Sequence, residues 1–364
     1  MKIAITTGTD AGYLPAACCQ LKSVFDNLQP GAAELFLVCC DVPRSGYDAA
    51  EAFFAARGMQ VSIINADAIA DRIKPVASRW PRAAYLRLYF DDLFDRSYDR
   101  LVYFDADTRL RSPVKPLLDT DLRGRPAAAA HDFIYYVTGN IRRRRRELKL
   151  ADTAPYLQSG VMLFDWPAML DQGLLARARD FLRDFPDACH EAPDQDALNH
   201  ALEDRWTPLD PRWNLHETYL NFGGKLVPYL EHYTSTKPWS RKRPERWQSA
   251  AAWYAEQLKN TIWSDFIPAQ TAKDRLKART DFAKFRYGFK LRNALSRYAP
   301  FVLDLMKVPR ERTDFEELPW SPRSRRDVED MAGALVDEAA GRRPHIRPPE
   351  SVLCDYGKGR PIGL

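Results

Sequence analysis

Arg100-Leu101-Val102-Tyr103-Phe104-Asp105-Ala106-Asp107-Thr108 is the stretch on which the reading of this chain turns. Leu101–Phe104 is a four-residue apolar run of buried-strand type, and two carboxylates follow it two positions apart. In extended backbone, residues i and i+2 point the same way, so Asp105 and Asp107 can converge on one ion at the strand's end. Hard oxygen ligands favour Mn²⁺ or Mg²⁺. Such an ion can bridge a diphosphate and neutralise the charge that grows on it as a leaving group. Ala106 is small enough to leave room for a ligand. An acidic D-x-D triplet at a strand end is common by chance, so its meaning depends on its company.

Upstream, Lys2–Thr7 reads as a strand, Gly8-Thr9-Asp10-Ala11-Gly12 as a turn and Leu14–Asn27 as a helix. Leu35–Cys40 is a second buried strand, Ala49–Arg57 a helix stopped at Gly58, and Gln60–Ile64 a third strand. Pro81–Phe94 reads as a helix leading into the decisive strand. Downstream, Ala127–His131 and Gly160–Phe164 read as strands, and Leu174–Phe185 and Asp194–Leu202 as helices. The alternation predicts an α/β fold: a mostly parallel central sheet with helices on both faces. Ligands of such sheets sit beyond the carboxyl ends of the strands, where both the turn at 8–12 and the acidic triplet lie.

Past about residue 240 strand-like runs disappear while Trp, Arg and Lys accumulate. The chain therefore divides into a catalytic domain at 1–245, a helical basic and aromatic extension at 246–310, and a Pro- and charge-rich tail at 311–364. Residues 237–297 carry 15 Lys/Arg against 5 Asp/Glu, a local net of +10, although the whole chain carries only +5. So small an overall charge does not imply nucleic acid. A basic segment suits an anionic membrane or a phosphorylated substrate. Phe282–Tyr298 fits a helix with two apolar stripes, and Arg142–Arg146 reads as a solvated face. Trp239, Trp247, Trp253 and Trp263 are expected to pack the C-terminal helices onto the core. The six cysteines form no C-x-x-C pair and read as small buried residues of a reducing compartment. With no signal-peptide layout and no apolar run near ~20 residues, the expected location is the cytoplasm.

A second cluster is Glu231-His232-Tyr233-Thr234-Ser235-Thr236-Lys237-Pro238-Trp239, which offers a metal ligand and a cation five positions apart. The two clusters, in this order and more than a hundred residues apart, resemble the retaining glycosyltransferases of family eight. That family includes bacterial lipopolysaccharide galactosyl- and glucosyltransferases and glycogenin. Four further segments match in order: Tyr85-Leu86-Arg87-Leu88, His131-Asp132, Gln158-Ser159-Gly160-Val161-Met162 and Asp194-Gln195-Asp196-Ala197-Leu198-Asn199. The likeness covers roughly residues 3–240 and leaves the last third of the chain untouched.

The resemblance implies a single GT-A type nucleotide-sugar-binding domain. It implies Asp105, Asp107 and His232 as ligands of Mn²⁺, or Mg²⁺, and Lys237 on the diphosphate of a UDP-sugar. Asp10 and the backbone around Gly8 would hold the uracil, with Tyr13 stacked near it. Ala106 would line the donor pocket, and Arg87 would sit by the phosphate or the sugar. Asp132, Gln158, Asp194 and Gln195 would hold the transferred sugar, with Gln195 near its reacting face. The expected donor is UDP-glucose or UDP-galactose, and the acceptor a glycan or glycolipid. Residues 270–300 would meet the inner membrane peripherally.

Two departures stand out. His232 to Lys237 is five positions where the family has six, which requires a tighter loop. Gln158 replaces the family's Asn, keeping the amide but lengthening its reach. Two other readings compete. A metal-dependent nucleotidyltransferase would want a basic residue in the loop near residue 10, which has none. A non-catalytic nucleotide-sugar-binding protein would be expected to have lost Asp105, Asp107 or His232, all of which are present.

Overall fold

A computed structural model of the chain describes residues 1–76, 80–132, 135, 141–216, 227–281, 283, 287 and 300–305. The strands are β1 (Ile3–Thr9), β2 (Glu34–Cys39), β3 (Val61–Asn65), β4 (Arg100–Phe104) and β5 (Thr108–Leu110). They are followed by β6 (Ala127–His131), β7 (Leu157–Asp165), β8 (Trp206–Pro208), β9 (Leu215–His216) and β10 (Leu230–His232). Seven of them form the central sheet in the order β3-β2-β1-β4-β7-β6-β8. Only β7 runs against its neighbours, β4 and β6; the other adjacent pairs are parallel. A second sheet, β5-β10-β9, branches from the end of β4.

The apolar runs need cover on both faces, and the core is correspondingly double. Ile3, Ile5, Leu35 and Leu37 face the helices Leu14–Phe25 and Arg44–Ala55. Ala4, Phe36, Val38, Leu101 and Tyr103 face the other way, toward Leu86, Leu88, Trp166, Leu174 and Ala201. The period-2 alternation of β1 and β2 thus sorts neighbouring residues into two separate cores. The helix Gln248–Leu258 joins the first core through Ala250, Tyr254 and Leu258, with buried Trp247 just ahead of it. Trp239, Trp253 and Trp263 pack against the same cluster, as expected. Cys18, Cys19, Cys39, Cys40 and Cys189 are buried and unbridged. Among the described residues, no helix is long and apolar enough to cross a membrane.

Three expectations change. Pro81–Phe94 is not one α-helix: a single turn, Arg82–Tyr85, passes into a 3₁₀ run, Leu86–Asp92, that breaks at Tyr89 (φ −123°, ψ 19°). The break turns Leu86, Leu88 and Phe90 into the second core while Arg87 is buried toward the strand ends. Residues 245–310 are not continuously helical either, since turns separate Gln248–Leu258 from the helical residues that begin at 272. The stripes of Phe282–Tyr298 and the tail at 311–364 lie outside the described residues.

The third change is the basic run. It forms the helix Ile141–Glu147, exposed at Arg142 and Arg146 but buried at Arg144 and Arg145. Arg144 pairs with buried Asp196 and donates to Ala188 O (2.8 Å) and Glu147 Oε2 (2.9 Å). Arg145 donates to Ala154 O (2.7 Å) and Asp152 O (2.5 Å). Burial of a charge is tolerable because each guanidinium has its acceptors in place. Replacing Arg144 with Met leaves Asp196 buried without its cation. The expected loss is about 3–5 kcal/mol, read as a lower urea midpoint, whereas Arg146→Ala should leave the midpoint unchanged.

Candidate active site

The site begins where β4 stops. Asp105 N donates to Gly160 O (2.8 Å), and Asp105 O accepts from Thr108 N (3.1 Å) and Thr108 Oγ1 (2.8 Å). This tight turn lets the chain leave the central sheet at Phe104 and re-enter extended structure at Thr108. There β5 pairs antiparallel with β10, which puts His232 opposite Thr108, and Tyr233 N donates to Asp107 O (3.0 Å). His232 Nε2 thereby comes within 3.5 Å of Asp105 Oδ2 and 3.3 Å of Asp107 Oδ1.

The three potential ligand atoms all lie within 4.8 Å of one another. Two carboxylate oxygens and an imidazole nitrogen suit a divalent cation of the Mn²⁺ or Mg²⁺ kind. The surroundings are shaped for that convergence. A Cβ on Gly160 would fall 2.2 Å from His232 Cε1 and 2.6 Å from Asp105 Oδ2, so only glycine lets ring and carboxylate approach. His232 Nδ1 is 2.8 Å from Asn214 Oδ1.

The loop from His232 to Lys237 returns its cation to the acidic triplet. Lys237 Nζ folds back onto Asp107 Oδ2 and donates to Tyr233 O (2.6 Å). Burial alone would raise the Asp107 carboxyl, but Lys237 and His232 beside it hold it well below the usual carboxylate range. Burial likewise opposes the Lys237 charge, yet the neighbouring Asp107 raises its pKa.

Arg87 ties this group to the next. Its guanidinium donates to Asp105 Oδ1 (2.5 Å) and Ser159 O (2.8 Å), lies 3.1 Å from Asp194 Oδ2, and stacks on Tyr103 at 4.2 Å. Burial pushes the Asp194 carboxyl up, against the pull of Arg87. Gln195 is pinned at both ends of its amide. Its Nε2 donates to Asp132 Oδ2 (2.9 Å) and Tyr156 OH (3.2 Å), and its Oε1 accepts from Ser159 N (3.1 Å). Gln158 Oε1 accepts from Gly160 N (2.7 Å) and Asn214 Nδ2 (2.5 Å).

At the other end, Asp10 Oδ1 accepts from Gly12 N (2.9 Å) and Tyr13 N (3.1 Å), closing the turn that starts the helix Leu14–Phe25. The Tyr13 ring stands edge-on to Trp239, centroids 5.8 Å apart. A cleft of about 870 Å³ joins these groups. Gly8, Asp10, Tyr13, Arg87, Asp105, Ala106, Asp107, Asp132, Gln158, Asp194, Gln195, His232 and Lys237 all line it. So do Lys242, Arg246 and Asp281 of the C-terminal segment.

Sequence reading passed over Asn214 and Tyr156, and gave Gly160 no role beyond its place in the matched segment 158–162. Their only local signal is a polar or small residue beside a buried aromatic or apolar one, which carries no chemistry until the contacts are known. His216, also passed over, is buried beside His232 and lines the cleft. Burial and the His232 ring lower its pKa to about 3, so it is neutral.

The family model described as glycosyl transferase family 8 matches residues 4–243. The chain belongs to that family. Its sequence is 27% identical over 285 residues to lipopolysaccharide 1,2-glucosyltransferase of Escherichia coli K12, covering 72% of this chain and 80% of that one. General stress protein A of Bacillus subtilis is 33% identical over 149 residues, 40% of this chain and about half (49%) of the relative. The crystal structure of the galactosyltransferase LgtC with donor and acceptor sugar analogs superposes with a TM-score of 0.62 at 19% identity. That match covers 73% of this chain and all (100%) of LgtC. The likeness extends the family's fold to the seven-stranded sheet described above.

Arg87→Lys keeps the charge but cannot span Asp105, Asp194 and Ser159 O at once. A loss of about 1–3 kcal/mol in unfolding free energy is expected from the buried acceptors left unpaired, measured by chemical denaturation.

Proposed function

We propose that this family-8 glycosyltransferase is a metal-dependent, retaining hexosyltransferase. It would move glucose or galactose from a UDP-sugar to a glycan or glycolipid acceptor of the lipopolysaccharide or surface-polysaccharide kind. The observation that carries the reading is the convergence of Asp105, Asp107 and His232 beside Lys237 in one cleft. Family membership and the lipopolysaccharide glucosyltransferase among the relatives support the reaction class and acceptor.

When bound, the cation supplies charge neutralisation for the departing diphosphate. The rest is done by side chains. Lys237, charged and close to Asp107, reaches the same leaving group. Preorganised cations of this sort cost no reorganisation as charge develops. Asp10 and Tyr13 bound the end of the cleft assigned to the base, with Trp239 bracing the Tyr13 ring. Asp194 and Asp132 face the sugar's position, and Arg87 beside Asp194 opposes the upward push that burial puts on its carboxyl. Gln195 holds its place through Asp132, Tyr156 and Ser159. A pinned amide is a poor nucleophile, which favours front-face attack by the acceptor hydroxyl over a covalent intermediate on Gln195. The acceptor proton can pass to a leaving phosphate oxygen.

We assign residues 1–245 to the catalytic domain, 246–310 to the extension and 311–364 to the tail. The extension would lie peripherally on the cytoplasmic face of the inner membrane. Exposed Leu276 beside Lys273, Lys277 and Arg279 supports that contact.

With Mn²⁺ and a panel of UDP-sugars, at least one donor should release UDP. Asp107→Ala should slow that release at least a hundredfold, about 2.7 kcal/mol of transition-state stabilisation. No release and no Mn²⁺-dependent UDP binding with any donor would sink the reading. Anionic vesicles should co-sediment with the full chain at low salt and release it at high salt; equal binding to neutral vesicles would remove the membrane contact.

A further inference from the structure

We propose that Asn214 is a positioning residue of the metal site. It fixes His232 as the tautomer that carries its proton on Nδ1 and turns the Nε2 lone pair toward Asp105 and Asp107. This rests on the reading of that cluster as metal-binding and adds to it a residue outside the ligand set.

The polarity of the arrangement is forced from one end. Gly160 N is a backbone donor and cannot accept. The end of the Gln158 amide that meets it at 2.7 Å is therefore the carbonyl, Oε1. That same oxygen lies 2.5 Å from one end of the Asn214 amide, which must then be the donor, Nδ2. The other end of Asn214 is Oδ1, an acceptor only, 2.8 Å from His232 Nδ1. In the neutral ring the single N–H must sit on Nδ1, which leaves Nε2 as the lone-pair nitrogen. Nε2 is the atom that faces Asp105 Oδ2 at 3.5 Å and Asp107 Oδ1 at 3.3 Å.

Asn214, fully buried, closes the 3₁₀ turn Pro211–Asn214, and β9 starts at the next residue. That strand pairs in parallel with β10, Leu215 with Glu231 and His216 with His232, so the sheet holds Asn214 against the ring. Gly160 serves twice: its N–H starts the relay, and its missing Cβ gives the ring its place. Gln158 also has a use here. Its carbonyl joins Gly160 to Asn214, and its side chain lines the cleft.

The test uses the full chain and the metal alone. Mn²⁺ affinity, followed by electron paramagnetic resonance of the free ion, should fall about 10–100-fold in Asn214→Leu. Asn214→Asp, which still accepts from Nδ1–H but loses the N–H that Gln158 accepts, should keep more of the affinity than Asn214→Leu. Two-dimensional ¹H–¹⁵N spectra of ¹⁵N-histidine-labelled, Mg²⁺-loaded wild type should show His232 protonated at Nδ1. Wild-type Mn²⁺ binding with unchanged affinity in Asn214→Leu overturns the proposal and leaves the metal site standing. A His232 signal protonated at Nε2 in wild type also overturns it, even if Asn214→Leu does not fold. Absence of any Mn²⁺ binding by the wild type overturns both.

Discussion

Pairing of His232 with Thr108 is the contact on which the site depends. Thr108 follows the acidic triplet directly, so a short antiparallel ladder between β5 and β10 sets the imidazole over Asp105 and Asp107. A slip of one residue would send the His232 side chain to the opposite face of the small sheet. Its register is secured from three sides: Tyr233 N on Asp107 O, Tyr254 OH on Thr108 O, and the parallel pairing of β9. The helix that carries Tyr254 packs on the first core, so residues beyond the family match help hold His232 over Asp105 and Asp107.

The second constraint is electrostatic. Asp105, Asp194 and Asp107 gather at one end of a sheet whose interior is apolar, and such a group is stable only when every charge has a partner. Arg87 serves Asp105 and Asp194, while Lys237 serves Asp107. Behind them Arg144 serves Asp196. The break in the segment 82–92 follows from this need. A straight helix there would carry its apolar residues on one face, but Arg87 has to turn toward the strand ends while its neighbours enter the core. Arg144 and Arg145 show the same logic inside a run that composition alone assigns to solvent.

The strand–helix alternation was legible because apolar runs of four to seven residues, bounded by turn residues, leave few other structures. Ala127–His131 and Leu174–Asp184 fall where their periodicity puts them, within a residue. The proposed site was legible mainly through the family resemblance: the thirteen residues it and the acidic triplet single out line one cleft. What escaped were the groups whose importance lies in a contact. Asn214 and Tyr156 bear no pattern of their own, Gly160 only its place in a matched segment, and each acts through an atom far away in sequence.

By itself, the sequence determined the class of fold, the pair of carboxylates at the end of β4 and the ordered set of polar residues that meets them. Those depend on local periodicity and on residue chemistry, both of which are properties of the chain. Only the tertiary structure decided which arginines are buried, where Lys237 points, and which nitrogen of His232 faces the carboxylates. Arg144, Lys237 and Gln158 are fixed by hydrogen bonds to residues more than fifty positions away and His232 by strand register, and neither is written in any one stretch of sequence. The opening triplet supplies two carboxylates, and the fold supplies the imidazole that meets them together with its orientation.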